Sequence, residues 1–174
     1  GRGPVRSKPQ RLSEVSADAG DRYPVPVEEL ARVLGGGLVP GSVVLVGGDP
    51  GIGKSTLLLQ VAALMGSVAG PVLYVSGEES ERQIKMRADR LEVASDNLFL
   101  VTETEVNAML AHIEAIKPRL LIVDSIQTTY FEGKASAAGS VSQVRECASQ
   151  FRELAKTSGI AVFLVGHVTK EGVI

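Results

Sequence analysis

Apolar and helix-like stretches alternate along the chain from about residue 43 onward. Five runs are continuously apolar, and they predict strands at Val43–Val46, Val72–Val75, Leu98–Val101, Leu120–Val123 and Ile160–Val165. Helical periodicity appears in the stretches between them, at Lys54–Met65, Ser80–Leu91, Val106–Ile116 and Ser142–Lys156. Continuous apolar runs are typical of strands buried on both faces. The pattern therefore predicts an α/β fold: a mainly parallel sheet with helices on both faces.

The chain divides into two parts by composition. Residues 1–24 are rich in Arg, Lys, Ser, Pro and Asp and contain few apolar residues, which indicates a flexible N-terminal lead-in. Residues 25–174 contain all the predicted strands and helices. With 174 residues in total, the chain is long enough for about one domain with its own apolar core. Residues 131–139 are mostly small or polar and predict a loop.

The composition narrows the possible functions. The net charge of −2 gives no global basic excess, so any contact with nucleic acid has to be local. Cys147 is the single cysteine, which excludes a disulfide or a cysteine-based zinc site within this chain and fits a reducing cytoplasm. It lies on the apolar stripe of the last predicted helix, so we expect a core side chain. No apolar run reaches the roughly 18 residues that span a bilayer, so no membrane contact is expected.

The strongest motif follows the first predicted strand. It matches G-x-x-x-x-G-K-[ST] and comprises Gly48, Asp49, Pro50, Gly51, Ile52, Gly53, Lys54, Ser55 and Thr56. Glycines let backbone amides approach phosphates closely, and the helix that follows adds its positive N-terminus. In such loops the lysine binds the β- and γ-phosphates and the hydroxyl binds Mg²⁺. We therefore predict an ATP and Mg²⁺ site with Lys54 and Ser55 in these roles.

Three acids follow predicted strands and could complete this site. Asp124 ends the fourth strand and could bind Mg²⁺ opposite Ser55, although a strand-ending aspartate can also be a turn residue or a helix cap. Glu78 and Glu79 follow the second strand, just before Ser80, whose spacing from a glutamine three residues later predicts a capping box. Either acid could activate the attacking water, or both could simply complement the helix dipole.

His167 follows the last predicted strand. A polar side chain at that position could sense the γ-phosphate, although a histidine after a strand is often only a loop residue.

Taken together, these segments resemble the RecA-like ATPases, and most closely their bacterial DNA-repair members. The resemblance covers roughly residues 33–172 and rests on the phosphate loop and six flanking segments: Val33–Ser42, Leu57–Gln60, Tyr74–Ser80, Val123–Thr128, Gly139–Glu146 and Gly166–Gly172.

The resemblance implies a function in DNA repair and recombination. It implies an ATPase that drives branch migration or helicase-like movement on single-stranded DNA, with the recombinase RecA as a partner. It also implies a ring, expected to be a homohexamer, with ATP between subunits. At the matching positions of such enzymes, the acid corresponding to Glu78 activates water, and the residue corresponding to His167 couples the γ-phosphate to a DNA-binding loop.

Candidate DNA contacts are less definite. Arg82 and Arg87 lie on the helix after the paired acids, but charged helix faces are commonly just solvated. The segment Gly139–Arg145 offers Gln143 and Arg145 near a helix start, where they could meet phosphates or a neighbouring subunit. An ordinary helix cap with a solvated arginine explains that segment equally well.

The sequence also departs from the DNA-repair members. Those proteins carry a four-cysteine zinc module before the core, a Lys-Asn-Arg-Phe-Gly motif after it, and then a Lon-protease-like domain. None of these is in the sequence, so zinc is expected only in that absent module, and the core is expected to be incomplete at its C-terminus. Since ring ATPases complete their sites with a cation from the next subunit, we expect only weak hydrolysis from this chain alone.

Three other functions fit the motifs. The chain could be a RecA-like regulatory ATPase of the KaiC type, which shares the paired acids after the second strand. It could be a P-loop kinase that transfers phosphate to an acceptor. It could also be a non-catalytic module that assembles in response to nucleotide.

Overall fold

The computed structural model describes residues 8–14, 37–48, 52–133 and 136–167 of the chain, and the side chains of Ile52 and Gly53 are outside this description. Most of the expected lead-in, residues 1–24, is therefore outside it as well. Within that segment the structure places a three-residue 3-10 turn at Leu12–Glu14, with no buried residue. The division at residue 24 stays a prediction.

The described core consists of five strands and four helices. The strands are β1 Val43–Gly48, β2 Val72–Ser76, β3 Leu98–Thr102, β4 Leu120–Asp124 and β5 Ala161–His167. The helices are α1 Ile52–Val68, α2 Glu81–Arg90, α3 Val106–Ile116 and α4 Val141–Ser158. Every predicted strand and helix is present, and most boundaries differ from the predicted ones by no more than two or three residues.

All five strands are parallel and lie in the order β1-β5-β4-β2-β3. The central strands β2, β4 and β5 are almost fully buried, as their continuous apolar sequences predict. In contrast, β1 is an edge strand of the described sheet, and its Leu45 is 62% exposed. The predicted fold class, an α/β RecA-like P-loop fold, is confirmed.

Side-chain alternation along each strand builds one apolar layer on each face of the sheet. Helices α1 and α2 pack on the face that carries Tyr74, Ile122 and Phe163. Helices α3 and α4 pack on the opposite face, which carries Val75 and Val123. Since successive residues of a strand point to opposite faces, Ser76, Asp124 and His167 lie on the α1 side at their strand ends. The fold thus gathers these polar residues beside the helix that follows the phosphate loop.

The caps predicted by local sequence are formed. Ser80 caps α2, with its hydroxyl accepting from the backbone of Gln83 and the Gln83 side chain accepting from the backbone N–H of Ser80. Ser140 caps α4 in a similar way by accepting from the backbone N–H of Gln143. Helix α4 ends at Ser158, and its C-cap Gly159 has a φ of 77°, the left-handed conformation that favours glycine.

Cys147 lies in the core on the α4 side, as predicted, and is fully buried. Desolvation by burial raises the pKa of its thiol, so the unreactive neutral form dominates at pH 8. We expect the native protein to react with a thiol reagent at least about 100-fold more slowly than the unfolded chain, because exposure of a core thiol requires a local opening. A time course at pH 8 with and without urea measures this ratio. The Cys147→Ser variant gives the background, and equal rates in the two conditions would contradict a buried thiol.

Among the helices within the described ranges, none is both long and apolar enough to cross a membrane.

Candidate nucleotide site

The predicted site residues converge at the carboxyl-terminal edge of the sheet. Gly48, at the end of β1, pairs in register with His167 at the end of β5. Asp124, at the end of β4, pairs with Ser76 of β2 and with Val165 of β5. Ligands of open α/β sheets bind at this edge, outside the carboxyl ends of the strands.

The structure describes the two ends of the phosphate-loop motif but not its middle. Gly48 ends β1, and Ile52, Gly53, Lys54, Ser55 and Thr56 form the first turns of α1. Asp49, Pro50 and Gly51 lie outside the described residues, so their predicted role in phosphate binding stays a prediction. Strand, loop and helix follow one another as the motif requires, and the N-terminus of α1 is at the strand edge where anions are favoured.

Lys54 lies between the ends of β1 and β5. Its Nζ donates to the carbonyl oxygen of Gly166 at 3.0 Å and to that of Gly48 at 3.3 Å. It also lies 3.4 Å from Nδ1 of His167. Because an ammonium group can only donate, this contact requires Nδ1 as acceptor and places the ring hydrogen on Nε2. The two residues proposed to meet the γ-phosphate are therefore neighbours, although they are distant in sequence.

Ser55 and Asp124 also lie together. The Ser55 hydroxyl is 3.5 Å from Oδ2 of Asp124, and the hydroxyl of Tyr74 donates to the same oxygen at 2.8 Å. The N-cap of the 3-10 turn that follows is Ser125, and the Asp124 carboxylate faces the two hydroxyls. A hydroxyl and a carboxylate are the hard oxygen ligands that Mg²⁺ prefers.

These two side chains suit a Mg²⁺ ion whose remaining ligands come from the nucleotide and water. No group of three or more His, Cys, Asp or Glu side chains in the described ranges could hold a metal ion by itself. Mg²⁺ in phosphoryl-transfer sites is usually bound by one or two protein oxygens together with substrate phosphates and water. The residues present therefore fit a Mg-nucleotide complex.

The paired acids after β2 have different surroundings. Glu78 is exposed. Glu79 is partly buried and forms a bidentate ion pair with Arg87, with distances of 2.6 and 3.0 Å between guanidinium nitrogens and carboxylate oxygens. The hydrogen bond to Glu79 is the main cause that raises the pKa of Arg87. Glu79 is thus engaged, and Glu78 is the acid that remains accessible to water.

The backbone just before these acids is hydrogen-bonded to β4, the strand that ends in Asp124. The N–H of Gly77 donates to the backbone oxygen of Asp124 at 2.8 Å. A Cβ at position 77 would collide with the side chain of Thr128, which lies in the 3-10 turn after β4. Only glycine fits this close approach, so the segment that leads into Glu78 is held against the turn that follows Asp124.

Two of the residues that the sequence suggested as DNA contacts are buried. Arg87 is only 8% exposed and is paired with Glu79, so the prediction that it could contact DNA is wrong. Gln143 is also buried, because its side chain amide bonds the backbone of Phe131 and of Ser136. Arg82 and Arg145 are exposed. Their roles stay predictions.

Sequence reasoning gave no role to Gln127, which links the turn after β4 to the end of β5. Its side chain donates to the backbone oxygen of His167 at 3.1 Å and accepts from the His167 N–H at 3.2 Å. This two-way bond connects the turn after Asp124 to the end of β5. No local signal marks the residue, because the pairing depends on β4 and β5 being neighbours in the sheet.

Sequence reasoning also gave no role to Tyr74, although a tyrosine within a buried strand is itself a signal. The side chain is fully buried in the middle of β2, and a buried tyrosine hydroxyl usually has a hydrogen-bond partner. Burial is the main cause that raises the pKa of Tyr74, and the charge of nearby Asp124 adds to it. The phenol is therefore a stable neutral donor at any physiological pH.

Comparison with known proteins agrees with this geometry. The family model described as AAA domain matches residues 6–173. The chain is 54% identical over 168 residues to the DNA repair protein RadA of Halalkalibacterium halodurans, covering 97% of this chain and 37% of that protein. The same values hold for the DNA repair protein RadA of Listeria monocytogenes. For that of Bacillus subtilis, the identity is 50% over 165 residues, covering 95% of this chain and 36% of that protein.

The chain thus spans little more than a third of the length of these relatives. Nearly the whole chain aligns with them at 50–54% identity, and the resemblance found in the sequence is confirmed. The chain belongs to the AAA-domain family, as a RecA-like P-loop ATPase segment similar to the bacterial DNA repair protein RadA.

Proposed function

We propose that this chain binds Mg-ATP and hydrolyses it as the ATPase core of a RadA-type DNA-repair protein. The observation that carries the proposal is the convergence of Lys54, His167, Ser55 and Asp124 at one edge of the sheet. Each of these residues has the chemistry that a phosphoryl-transfer site requires at that place.

The proposed chemistry assigns each side chain a step. Lys54 exchanges its carbonyl partners for the β- and γ-phosphates and neutralises their charge. Ser55 and Asp124 hold the metal ion, which when bound offsets the negative charge that develops on the phosphates. Glu78 accepts a proton from the attacking water as a general base. The nucleotide is thus cleaved to ADP and free phosphate.

His167 is the proposed link between nucleotide and DNA. It contacts Lys54 through Nδ1, so a phosphate that attracts Lys54 changes the surroundings of the imidazole. Its backbone is held by Gln127. In the enzymes that this chain resembles, the residue at this position couples the γ-phosphate to a DNA-binding loop. A coupling of this kind needs two sites and an element that responds to both.

We expect His167→Ala to leave ATP binding nearly unchanged but to abolish stimulation of hydrolysis by single-stranded DNA. The physical reason is that the variant removes the imidazole that contacts Lys54 while the backbone clasp with Gln127 stays. ATP affinity and phosphate release with and without single-stranded DNA, in a full-length RadA-type protein that carries these residues, provide the measurement. His112→Ala is a control, because His112 lies on the outer side of α3, where it is exposed. Retention of full DNA stimulation in His167→Ala would rule out this link.

The finer parts of the proposal follow from the resemblance. They are branch migration or helicase-like movement on single-stranded DNA, a homohexameric ring, the recombinase RecA as partner, and action in the cytoplasm, where ATP and DNA are available. The named function of the RadA relatives, DNA repair, supports this assignment.

A single set of assays tests the proposal against the other functions. The assays use a full-length RadA-type protein that carries these residues, because only weak hydrolysis is expected of this chain alone. An ATPase releases phosphate, and a DNA-repair motor does so faster with single-stranded DNA. A kinase would phosphorylate an acceptor with little free phosphate, and a regulatory ATPase would ignore DNA. A nucleotide-dependent assembly module would bind ATP without any turnover. Each of the last three results would overturn the proposed function.

A further inference from the structure

Tyr74 contacts the carboxylate that is proposed to hold the metal ion. It lies in the middle of β2 and is fully buried, and its hydroxyl donates to Oδ2 of Asp124 at 2.8 Å. The same oxygen is 3.5 Å from the hydroxyl of Ser55. The hydroxyl groups of Tyr74 and Ser55 thus share one oxygen atom of Asp124.

The register of the sheet explains this contact. Ser76 of β2 lies opposite Asp124 of β4, and Tyr74 lies two residues earlier on the same face, opposite Ile122. A tyrosine side chain is long enough to reach a diagonal neighbour two residues along the adjacent strand. The phenol ring therefore extends along the sheet towards its carboxyl edge, with its hydroxyl at the carboxylate.

The position of this ring is fixed by packing. Tyr74 belongs to the apolar layer under α1 and α2, together with Ile122, Phe163 and Leu59. A tyrosine has only two rotatable side-chain bonds, and close-packed neighbours leave no room for another rotamer. The hydroxyl is a donor at a fixed point, so it selects the orientation of the carboxylate that accepts from it.

We propose that Tyr74 is a positioning residue for the metal carboxylate: it holds Oδ2 of Asp124 so that the carboxylate is preoriented towards the ion. This inference rests on the proposed function, in which Asp124 binds the metal. Hydrogen bonds that orient metal ligands typically contribute a factor of about 10–100 to metal affinity. The phosphate contacts of Lys54 do not involve Tyr74, so nucleotide binding without metal is independent of the phenol.

The test is the Tyr74→Phe variant, which retains the ring and loses only the hydroxyl. Mn²⁺ serves as the probe, and its binding in the presence of ADP is followed by electron paramagnetic resonance. We expect Mn²⁺ affinity to fall by about 10–100-fold, while ADP affinity in EDTA stays within about twofold. Mn²⁺ affinity within twofold of wild type would overturn the inference. Loss of ADP binding in EDTA would overturn it as well, because the effect would then be a general disruption of the site.

Tyr130→Phe is the matched control, since it makes the same chemical change at a tyrosine that is 38% exposed and whose backbone bonds Thr104 and Val106. It is expected to bind Mn²⁺ and ADP as wild type does. A similar loss of Mn²⁺ affinity in Tyr130→Phe would mean that the effect at position 74 is not specific, and the inference would fail.

Two further variants separate this inference from the proposed function. If Asp124→Asn leaves Mn²⁺ affinity unchanged, the metal role of Asp124 is wrong and the inference falls with it. If Asp124→Asn weakens Mn²⁺ binding but Tyr74→Phe does not, only the positioning role is wrong. The double variant is expected to be no weaker than Asp124→Asn, because a residue that acts through Asp124 has nothing left to position. Additive losses would indicate that Tyr74 acts by another route.

Discussion

Lys54→Ala is expected to weaken ATP binding by about 10–100-fold, since a hydrogen bond to a charged group contributes about 1.5–3 kcal/mol. The ammonium group lies at the ends of β1 and β5, where its partners are two carbonyl oxygens and His167. Alanine removes the main counter-charge to the phosphates. Titration with a fluorescent ATP analogue measures the loss, and phosphate release measures its effect on turnover.

The control for this variant is Lys156→Ala, because Lys156 is exposed at the end of α4, on the opposite face of the sheet from α1. It removes the same charge from the protein but not from the site. Unchanged affinity and unchanged turnover in Lys54→Ala would contradict the assignment of the nucleotide site.

Glu78→Gln is expected to lower the rate of ATP hydrolysis by about 10²–10⁴-fold, the usual contribution of a positioned general base. Glutamine retains the shape of the side chain but cannot accept a proton from water. ATP affinity is expected to change little, because Glu78 is exposed and the phosphate contacts are proposed to come from Lys54 and the loop before α1. Phosphate release at saturating Mg-ATP with single-stranded DNA, measured in a full-length RadA-type protein that carries these residues, and a binding titration separate the two effects.

Glu79→Gln is the matched control, since it makes the same chemical change at the neighbouring position. Glu79 is held by Arg87, so its neutral replacement weakens a charged hydrogen bond and is expected to cost about 1–3 kcal/mol of unfolding free energy rather than activity. If Glu79→Gln abolishes turnover in a folded protein while Glu78→Gln does not, the wrong acid has been assigned.

Local sequence determined the elements of this fold. Continuous apolar runs predicted β2, β4 and β5 as strands buried on both faces, and the structure buries them in that way. The Ser80 capping box was also predictable, because its two hydrogen bonds join residues three positions apart. The phosphate-loop motif is of the same kind, since its residues are contiguous in the sequence.

Pairings between distant residues were decided by the tertiary structure. The order of the strands places β5 between β1 and β4, and this brings His167 to Lys54 and to Gln127. A strand pattern gives the period and the burial of a strand but not its neighbours in the sheet. The contact of Tyr74 with Asp124 likewise requires β2 beside β4 in one particular register.

The difference between Glu78 and Glu79 has the same origin. Both acids follow β2, and the sequence offered two roles for each of them. The structure pairs Glu79 with Arg87, eight residues later on α2, and leaves Glu78 exposed. The sequence by itself determined the strands, the helices and the phosphate-loop motif, because these depend on periodicity and on contacts between near neighbours. Only the tertiary structure decided which side chains are free to act, because burial and pairing depend on how the helices pack against the sheet.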